Sequence, residues 1–326
     1  MTNRRLKDIA DHLERGDARY ERFMKIQTIE QAKKARSRRI KVAVAIFALI
    51  CGAYAIASSV SAQSLVELAS PLNGSPAEHM VMGNPSNAVT DVNTPLNYLI
   101  PRDQYVLSYN RDKATPNWVA WHLESSWIGS TPRQDDYRPD TSLPAGWYQV
   151  QATDYSGSGF DRGHMCPSGD RTSTVAANSA TFLMTNFIPQ APANNQGPYE
   201  QLESYCRTLV SQGNELYIFT GPWGQGGSGS NGGTTNTVAG GNVVVPSQVW
   251  KVILVMPLGT NDLDRVYKTT RTIAVVMPNA QSIGMGTPWR NFRVSVRKVE
   301  QLTGLNFFTT VRPMVRNFLK VRVDTQ

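Results

Sequence analysis

The residues with the clearest chemical potential form a short polar run, Asp161-Arg162-Gly163-His164, after the glycine- and serine-rich segment 155–160. A histidine near its ordinary pKa can accept a proton from water at neutral pH, and an arginine can bind two phosphate oxygens at once. Taken alone, these four residues favour a structural loop in which the histidine has no chemical role. Residues farther along the chain favour a chemical role.

About thirty residues later, Asn194-Asn195 precedes a segment in which Glu203 and Arg207 are four residues apart and share one face of a helix. By themselves Glu203 and Arg207 could form an ordinary surface ion pair. An amide oxygen and a carboxylate are, however, ligands that suit Mg²⁺, which keeps most of its waters and needs one or two protein groups. Zinc fits poorly, because the four histidines are scattered and no CxxC or HExxH spacing occurs.

Together these groups point to phosphodiester hydrolysis. That reaction needs an activated water, neutralisation of the charge that builds on phosphate, and help for the leaving oxygen. The segment from Asp161 to Arg207 offers a base, a cation site and arginines for these three tasks.

The elements that must position these residues are mostly strands. Valine- and isoleucine-rich segments predict strands at 216–220, 243–245, 249–256, 272–277 and 292–296, and alternation around 105–109 and 118–123 predicts a hairpin with its loop at 111–115. Pro198, the spacing of the apolar residues after it, and Gly213 predict one helix. The segment 221–242, rich in Gly, Ser, Asn and Thr, predicts a flexible surface loop. We therefore expect an α+β fold with a central antiparallel sheet.

The amino-terminal region differs sharply in charge from the rest of the chain. Residues 1–41 hold 13 Lys/Arg against 6 Asp/Glu, whereas the remaining 285 residues hold 20 against 19, so bulk basicity is no argument for nucleic-acid binding by the body. The uncharged stretch 42–60 is long enough to cross a bilayer, and the positive charge before it predicts that the body of the chain is exported. Three alternatives stay open: a transmembrane signal anchor, a signal peptide cleaved near Ala62, or a buried helix of a soluble protein.

These features divide the chain into four parts. We expect a cytoplasmic basic segment at 1–41, a transmembrane or signal helix at 42–62, a linker at 63–78 and a catalytic domain at 79–326. The exported domain would be membrane-anchored, or secreted or periplasmic after cleavage.

Residues 80–305 resemble the DNA/RNA non-specific endonucleases, the ββα-metal nucleases that carry a DRGH motif. They are particularly similar to the extracellular, sugar-nonspecific nucleases of cyanobacteria. The matching segments include Gly83-Asn84-Pro85-Ser86, Trp118-Val-Ala-Trp121, Arg133-Gln134-Asp135, Arg138-Pro-Asp140, Asp161-Arg-Gly-His164, Thr181-Phe-Leu-Met-Thr-Asn186, Asn194-Asn195-Gln196 and Tyr205-Cys-Arg207. The resemblance implies a central sheet with a ββα-metal finger as its active site.

The resemblance also implies roles for the residues of the metal site. His164 falls on the general base of the family, Asn195 on the single direct protein ligand of magnesium, and Glu203 on the helix carboxylate that orients metal-bound water. Mg²⁺ is the expected cofactor, with Mn²⁺ as a substitute.

The same resemblance implies roles in substrate binding and support. Arg162 falls on the motif arginine, Arg133 on an upstream substrate-binding arginine and Arg207 on the helix arginine that contacts phosphate. Asn186 matches an asparagine that supports the site near the histidine, and Asp161 is expected to position the finger.

The cysteines allow one disulfide. Cys51 lies in the apolar stretch, so Cys166, just after the base, and Cys206, on the predicted helix, are the only pair in the body. If the body is exported, a disulfide between them would join the two halves of the finger; if it is cytosolic, both should be free thiols.

The expected partners are DNA and RNA, single or double stranded, because phosphate contacts carry no sequence information. If residues 42–60 are not cleaved off, they also bind the membrane. A protein inhibitor is a further expected partner. The alternative function is a catalytically inactive, membrane-tethered nucleic-acid-binding protein of the same fold.

Overall fold

A seven-stranded antiparallel sheet organises residues 75–326, the part of the chain that the computed structural model describes. In this range the strands are β1 (Tyr98–Pro101), β2 (Val106–Asn110), β3 (Thr115–Leu123), β4 (Asp161–His164), β5 (Phe187–Gln190), β6 (Asn214–Trp223), β7 (Thr237–Val238), β8 (Val243–Val244), β9 (Gln248–Pro257), β10 (Arg271–Pro278) and β11 (Arg293–Val294). The sheet order is β1-β2-β3-β6-β9-β10-β11, while β4 pairs with β5 and β7 with β8. The expected central antiparallel sheet is confirmed.

The helices of the same range are short, with one exception beside the sheet. They are α1 (Pro76–His79), α2 (Val175–Ala180), α3 (Pro192–Asn194), α4 (Glu200–Ser211), α5 (Asp262–Arg265), α6 (Val296–Thr303) and α7 (Pro313–Val321). A π-helical turn, Asn195–Tyr199, joins α3 to α4. The predicted helix is therefore present, but its regular part begins at Glu200, two residues after Pro198.

The central strands are apolar because both faces of the sheet are covered. In β3, Val119 and Trp121 pack on one face beneath Leu202 and Cys206 of α4. Trp118 and Ala120, which alternate with them, pack on the other face with Val299 of α6 and Leu319 of α7. We call the first group the α4-side core and the second the α7-side core. The alternation predicted for this strand is the alternation between these two cores.

A separate hairpin carries the polar run. Asp161 of β4 lies opposite Gln190 of β5, and His164 lies opposite Phe187. The chain then turns through α3 and the π-helical turn into α4. At Gly197 in that turn the backbone is non-helical, and a Cβ would come within 2.7 Å of the Met285 backbone, so only glycine fits there.

One predicted strand is much shorter than expected. The segment 292–296 contains only the two-residue β11, because Ser295 caps the next helix: its hydroxyl accepts a hydrogen bond from the Lys298 N–H at 3.2 Å. Val296 is therefore the first residue of α6 and not the end of a strand.

The glycine-rich segment 221–242 is more fixed than the sequence suggested. It contains the end of β6 and all of β7, and its backbone pairs with itself between Gly227 and Thr235. The Ser230 N–H and the Asn231 amide donate to the carbonyls of Gly159 and Gly157, each at 2.9 Å. The segment therefore lies largely at the surface, as predicted, and it also braces the turn that leads into β4.

The folded domain begins before the predicted boundary at residue 79. Helix α1 starts at Pro76, and the Glu78 carboxylate lies 2.6 Å from Nδ1 of the buried His122. Residues 76–78 thus belong to the domain and not to the linker. The predicted apolar span 42–60 lies outside the described residues, and within 75–326 no helix has the length and apolarity needed to cross a membrane.

Candidate active site

A cleft of about 710 Å³ lies where β4, the start of α4 and the loop around Arg133 meet. It brings together six of the predicted site residues: Arg133, Arg162, His164, Asn195, Glu203 and Arg207. Asp161, Tyr137, Ser168, Gln196 and Glu200 also line it. Asn186, the seventh predicted site residue, does not reach the cleft.

His164 lies at the end of β4 against aromatic rings. Its ring centroid is 4.3 Å from that of Phe187 and 5.0 Å from that of Phe182. Within residues 75–326 neither ring nitrogen has a hydrogen-bond partner, and Nε2 is sealed from solvent. Burial, with a smaller contribution from the charges of Arg133 and Arg162, lowers the pKa of His164 well below its ordinary value. The imidazole is therefore neutral, and able to accept a proton, throughout the physiological pH range.

Gly163 lets β4 approach β5 closely enough to hold this histidine. A Cβ at Gly163 would fall within 2.5 Å of Cβ of Gln190, the residue opposite Asp161 on β5. The Gln190 amide in turn donates to Oδ1 of the buried Asn194, and the Asn194 amide donates to the Pro278 carbonyl at 2.9 Å. The hairpin is thus tied through Asn194 to the end of β10.

Asn186 supports the strand from behind. It is fully buried, its Oδ1 accepts from the Cys166 N–H at 2.9 Å, and its amide donates to the carbonyls of Cys166 and Thr181. It makes no hydrogen bond to His164 itself. Asn186 therefore fixes the backbone just after His164 and is a positioning residue, not a catalytic one.

Asn195 and Asp161 form the part of the cleft that suits a cation. The Asn195 amide nitrogen donates to Oδ2 of Asp161 at 2.8 Å. This contact determines the orientation of the amide group. It leaves Oδ1 of Asn195 without a hydrogen bond in the described residues. The Gln196 amide donates to the same carboxylate oxygen at 2.8 Å. The cleft-lining donors in this region are amide and carboxylate oxygens with no thiol among them, and such a set fits Mg²⁺.

Glu203 lies one turn into α4 with only 12% of its side chain exposed. Burial raises its pKa to about 7, although Lys251 at 3.3 Å acts in the opposite direction. Lys251 belongs to β9 and is itself buried in the α4-side core.

The three arginines are held in different ways around the cleft. Arg133 donates to Asp135, to the Ser168 hydroxyl and to the Tyr137 hydroxyl, the last two at 2.8 Å. Arg162 is exposed, and its guanidinium carbon lies 3.9 Å from the centroid of the Tyr137 ring.

Arg207 is held by α4 and the turn after β4. It donates to the buried carboxylate of Asp170 at 3.1 Å and to the Ser204 hydroxyl at 3.0 Å. Together with Arg133 and Arg162, it gives the cleft three cationic side chains of a type that binds phosphate oxygens.

The predicted disulfide is not present. Cys166 and Cys206 are free thiols that pack within the α4-side core. Burial raises the pKa of each to about 12, so both remain protonated. They act as small apolar residues beneath the cleft.

Another group of potential metal ligands in residues 75–326 consists of His122, Glu215 and Asp262, whose ligand atoms lie within 4.8 Å of one another. His122 follows Trp118 and Ala120 in the alternation of β3, so this group lies on the α7 side of the sheet, across from the cleft. Arg265 already pairs with both carboxylates. The group is an internally compensated ion-pair network and not part of the cleft.

Comparison with known proteins identifies the family. Residues 83–314 match the model of the DNA/RNA non-specific endonucleases. The chain belongs to that family. A nuclease from Nostoc sp. is 45% identical over 282 residues, which cover 84% of this chain and 99% of that protein.

More distant relatives share the same domain. Nuclease C1 of Cunninghamella echinulata is 38% identical across 64% of this chain and 82% of its own length. Human mitochondrial nuclease EXOG is 33% identical across 63% of this chain and 55% of its own length. A crystal structure of the EndoG/EndoGI complex superposes with a TM-score of 0.59 at 28% identity, covering 72% of this chain and 92% of that one.

Two residues at or beneath this candidate site were not predicted from the sequence. Lys251 stands alone among apolar residues in β9, Val249-Trp-Lys-Val-Ile253, and a charged residue inside such a run is the signal that could have found it. Tyr137 offers no comparable signal, because its contact with Arg162 joins segments that only the fold brings together.

Proposed function

We propose that this protein is an exported, Mg²⁺-dependent endonuclease that hydrolyses phosphodiester bonds of DNA and RNA without sequence preference. The observation that carries the proposal is the composition of one cleft. A neutral histidine, an oriented amide oxygen, a helix carboxylate and three arginines line the same space. Hydrolysis of a phosphodiester requires that combination of base, cation site and anion contacts.

In this proposal His164 removes a proton from the attacking water. The acceptor is Nδ1, because Nε2 is sealed from solvent among the aromatic rings. The low pKa caused by burial keeps the imidazole in its basic form at neutral pH. Because Phe182 and Phe187 pack against the ring, its orientation is set before substrate binds.

Asn195 would hold the metal directly, and Glu203 would hold it through water. When bound, Mg²⁺ supplies positive charge to the phosphate and to the leaving oxygen. Asp161 fixes the Asn195 amide so that its oxygen stays available, and Asn186 holds the strand behind the base. The pairing of β4 with β5, followed in the chain by α4, supports the ββα arrangement that the family resemblance implies.

Arg133, Arg162 and Arg207 would contact the phosphates of the substrate. Contacts to phosphate alone carry no sequence information. Both DNA and RNA, single or double stranded, are therefore the proposed substrates.

The deciding experiment compares the full-length protein with its His164→Ala variant on supercoiled plasmid and on RNA, in Mg²⁺ and then in EDTA. We expect Mg²⁺-dependent cutting of both substrates by the wild type and its loss in the variant. Cutting that persists in His164→Ala would show that His164 is not the general base. Binding without cutting by the wild type would favour the alternative, an inactive, membrane-tethered nucleic-acid-binding protein of this fold.

Export rests on the amino-terminal sequence. The charge-rich segment 1–41 and the uncharged stretch 42–60 support a membrane anchor or a signal peptide cut near Ala62. Mass determination of the mature protein from separated membrane and soluble fractions distinguishes the two. An intact chain recovered from the cytosol would contradict export altogether.

A protein inhibitor is a further proposed partner. EndoG, which this fold resembles, was solved in complex with EndoGI in a structure described as showing the mechanism of EndoG inhibition. If a comparable inhibitor acts here, it should compete with nucleic acid for the cleft. An inhibitor that leaves DNA binding intact would contradict this.

A further inference from the structure

Lys251 stands out because it is a charged residue in the middle of a buried strand. In β9, Val249, Lys251 and Ile253 point to the same α4-side core, and only 1% of the Lys251 side chain is exposed. A lysine is almost never buried to this degree unless a partner compensates its charge. Its place in the strand therefore requires a specific explanation.

The partner is the helix carboxylate of the cleft. Nζ of Lys251 lies 3.3 Å from Oε1 of Glu203, and no other carboxylate of residues 75–326 forms an ion pair with it. The ammonium group also lies 4.0 Å from the centroid of the Tyr199 ring. The Tyr199 hydroxyl is hydrogen-bonded to Thr220 at 2.8 Å, so the ring beneath the ammonium group is itself fixed.

The geometry assigns Lys251 a positioning role: from beneath the cleft it holds Oε1 of Glu203, so that this carboxylate presents its other oxygen, Oε2, to the cleft in one orientation. The role rests on the proposed function of Glu203 as the carboxylate that binds the metal through water. A carboxylate held at one oxygen has only the second oxygen for that task.

The arrangement explains why the strand tolerates a buried charge. A glutamate without Lys251 could rotate about its side-chain bonds or turn towards Arg207, the next cation on the helix. Residues that orient the ligands of a metal commonly change activity by about 10–100-fold when they are removed. The lysine would therefore act on the rate through Glu203, without touching substrate.

The experiment compares Lys251→Met, Lys251→Arg and a matched control, Lys320→Met, in the full-length protein. Lys320 is also a buried lysine paired with a glutamate, 2.5 Å from Glu300, but it lies in α7 away from the cleft. We expect Lys251→Met to lower kcat for plasmid cleavage about 10–100-fold with little change in KM. Lys251→Arg should restore part of the rate, and Lys320→Met should leave kcat unchanged.

A double-mutant cycle makes the test specific to Glu203. In the Glu203→Gln background, plasmid cleavage is measured at high enzyme concentration. There Lys251→Met should cause no further loss of rate. If Lys251→Met lowers kcat equally in both backgrounds, or leaves kcat of the otherwise wild-type protein unchanged, the positioning role is wrong.

Three further outcomes have defined meanings. If Lys251→Met does not fold, Lys251→Gln replaces it, since it removes the charge but keeps a donor; an unchanged kcat in that variant overturns the inference. If the wild type itself cuts no nucleic acid in Mg²⁺, the proposed function is wrong and this inference falls with it. Normal cutting by both wild type and Lys251→Met overturns the inference alone.

Discussion

Two histidines of this domain lie on consecutive strands of the chain, β3 and β4, in opposite chemical states. His164, at the cleft, has no hydrogen-bond partner in the described residues, and burial lowers its pKa well below the ordinary value. His122, on the α7 side of the sheet, lies 2.6 Å from a Glu78 oxygen and 3.1 Å from a Glu215 oxygen. Burial disfavours its charge too, but hydrogen bonds to Glu215 and Glu78 outweigh burial and raise its pKa to about 9.

The comparison shows that burial alone does not decide what a histidine can do. Carboxylates on both ring nitrogens keep His122 cationic at neutral pH, and the charged ring ties α1, through Glu78, to strands β3 and β6. Aromatic rings around His164 leave it neutral and, among the described residues, unpartnered beside the cleft. The structural histidine is saturated with hydrogen bonds, whereas the proposed base is kept free of them.

The largest predicted effect is on the cleavage rate, and it should differ strongly between substitutions of the two histidines. We expect His164→Ala to lower the plasmid-cleavage rate by about 10²–10⁴-fold, the usual contribution of a general base. His122→Gln should keep the rate within a few-fold of wild type if the protein is assayed well below its melting temperature. Comparable losses of cleavage rate in both variants would contradict the assignment of His164 as the general base.

The second effect concerns stability and pH. The folded-state pKa of His122, about 9, lies above its unfolded value of 6.5, so its stabilisation is complete below about pH 6.5 and disappears as pH rises through 9. The difference corresponds to about 3 kcal/mol. Urea unfolding at pH 6.5, 8 and 10 should show this decrease in the wild type. The decrease should be absent in His122→Gln, and an equally steep curve in that variant would contradict it.

The third effect tests the oriented amide of the cleft. Asp161→Asn removes the carboxylate that accepts the Asn195 amide and should lower the cleavage rate about 10–100-fold, mainly by raising the Mg²⁺ concentration needed for half-maximal rate. Asp91→Asn, an exposed substitution outside the cleft, is the control. If added Mg²⁺ recovers no activity, Asp161 does not act through the metal site.

The smallest effect should be that of salt on binding. Arg133, Arg162 and Arg207 are the arginines that line the cleft, so we expect about three phosphates to be neutralised. For duplex DNA, measured with Ca²⁺ in place of Mg²⁺, the slope of log K against log salt should be about −3. A slope near −8 would reveal a much larger binding surface.

Many of the strands and the main helix can be predicted from the sequence, because they depend on residues that are close together in the chain. The alternation in β3, the apolar runs of β6 and β9 and the proline-marked start of the α4 region depend on neighbouring residues and so predict elements directly. The residues quoted around His164, Asn195 and Glu203 likewise carried the family resemblance, and the cleft brings all three together.

What the sequence could not determine depends on contacts between distant segments. The segment 221–242 has the composition of a flexible loop, yet it is ordered by hydrogen bonds to the turn before β4. From the sequence, Cys166 and Cys206 could have formed a disulfide, but in the fold they pack as free thiols.

The same reason separates the two histidines. Nothing in the residues next to His122 predicts its charge, because Glu78 and Glu215 reach it from other elements of the fold. The sequence by itself determined the residue types available for catalysis and the strands and helix that carry them. Only the tertiary structure decided which histidine is neutral and which lysine lies beneath Glu203, because protonation and orientation depend on neighbours far apart in the chain.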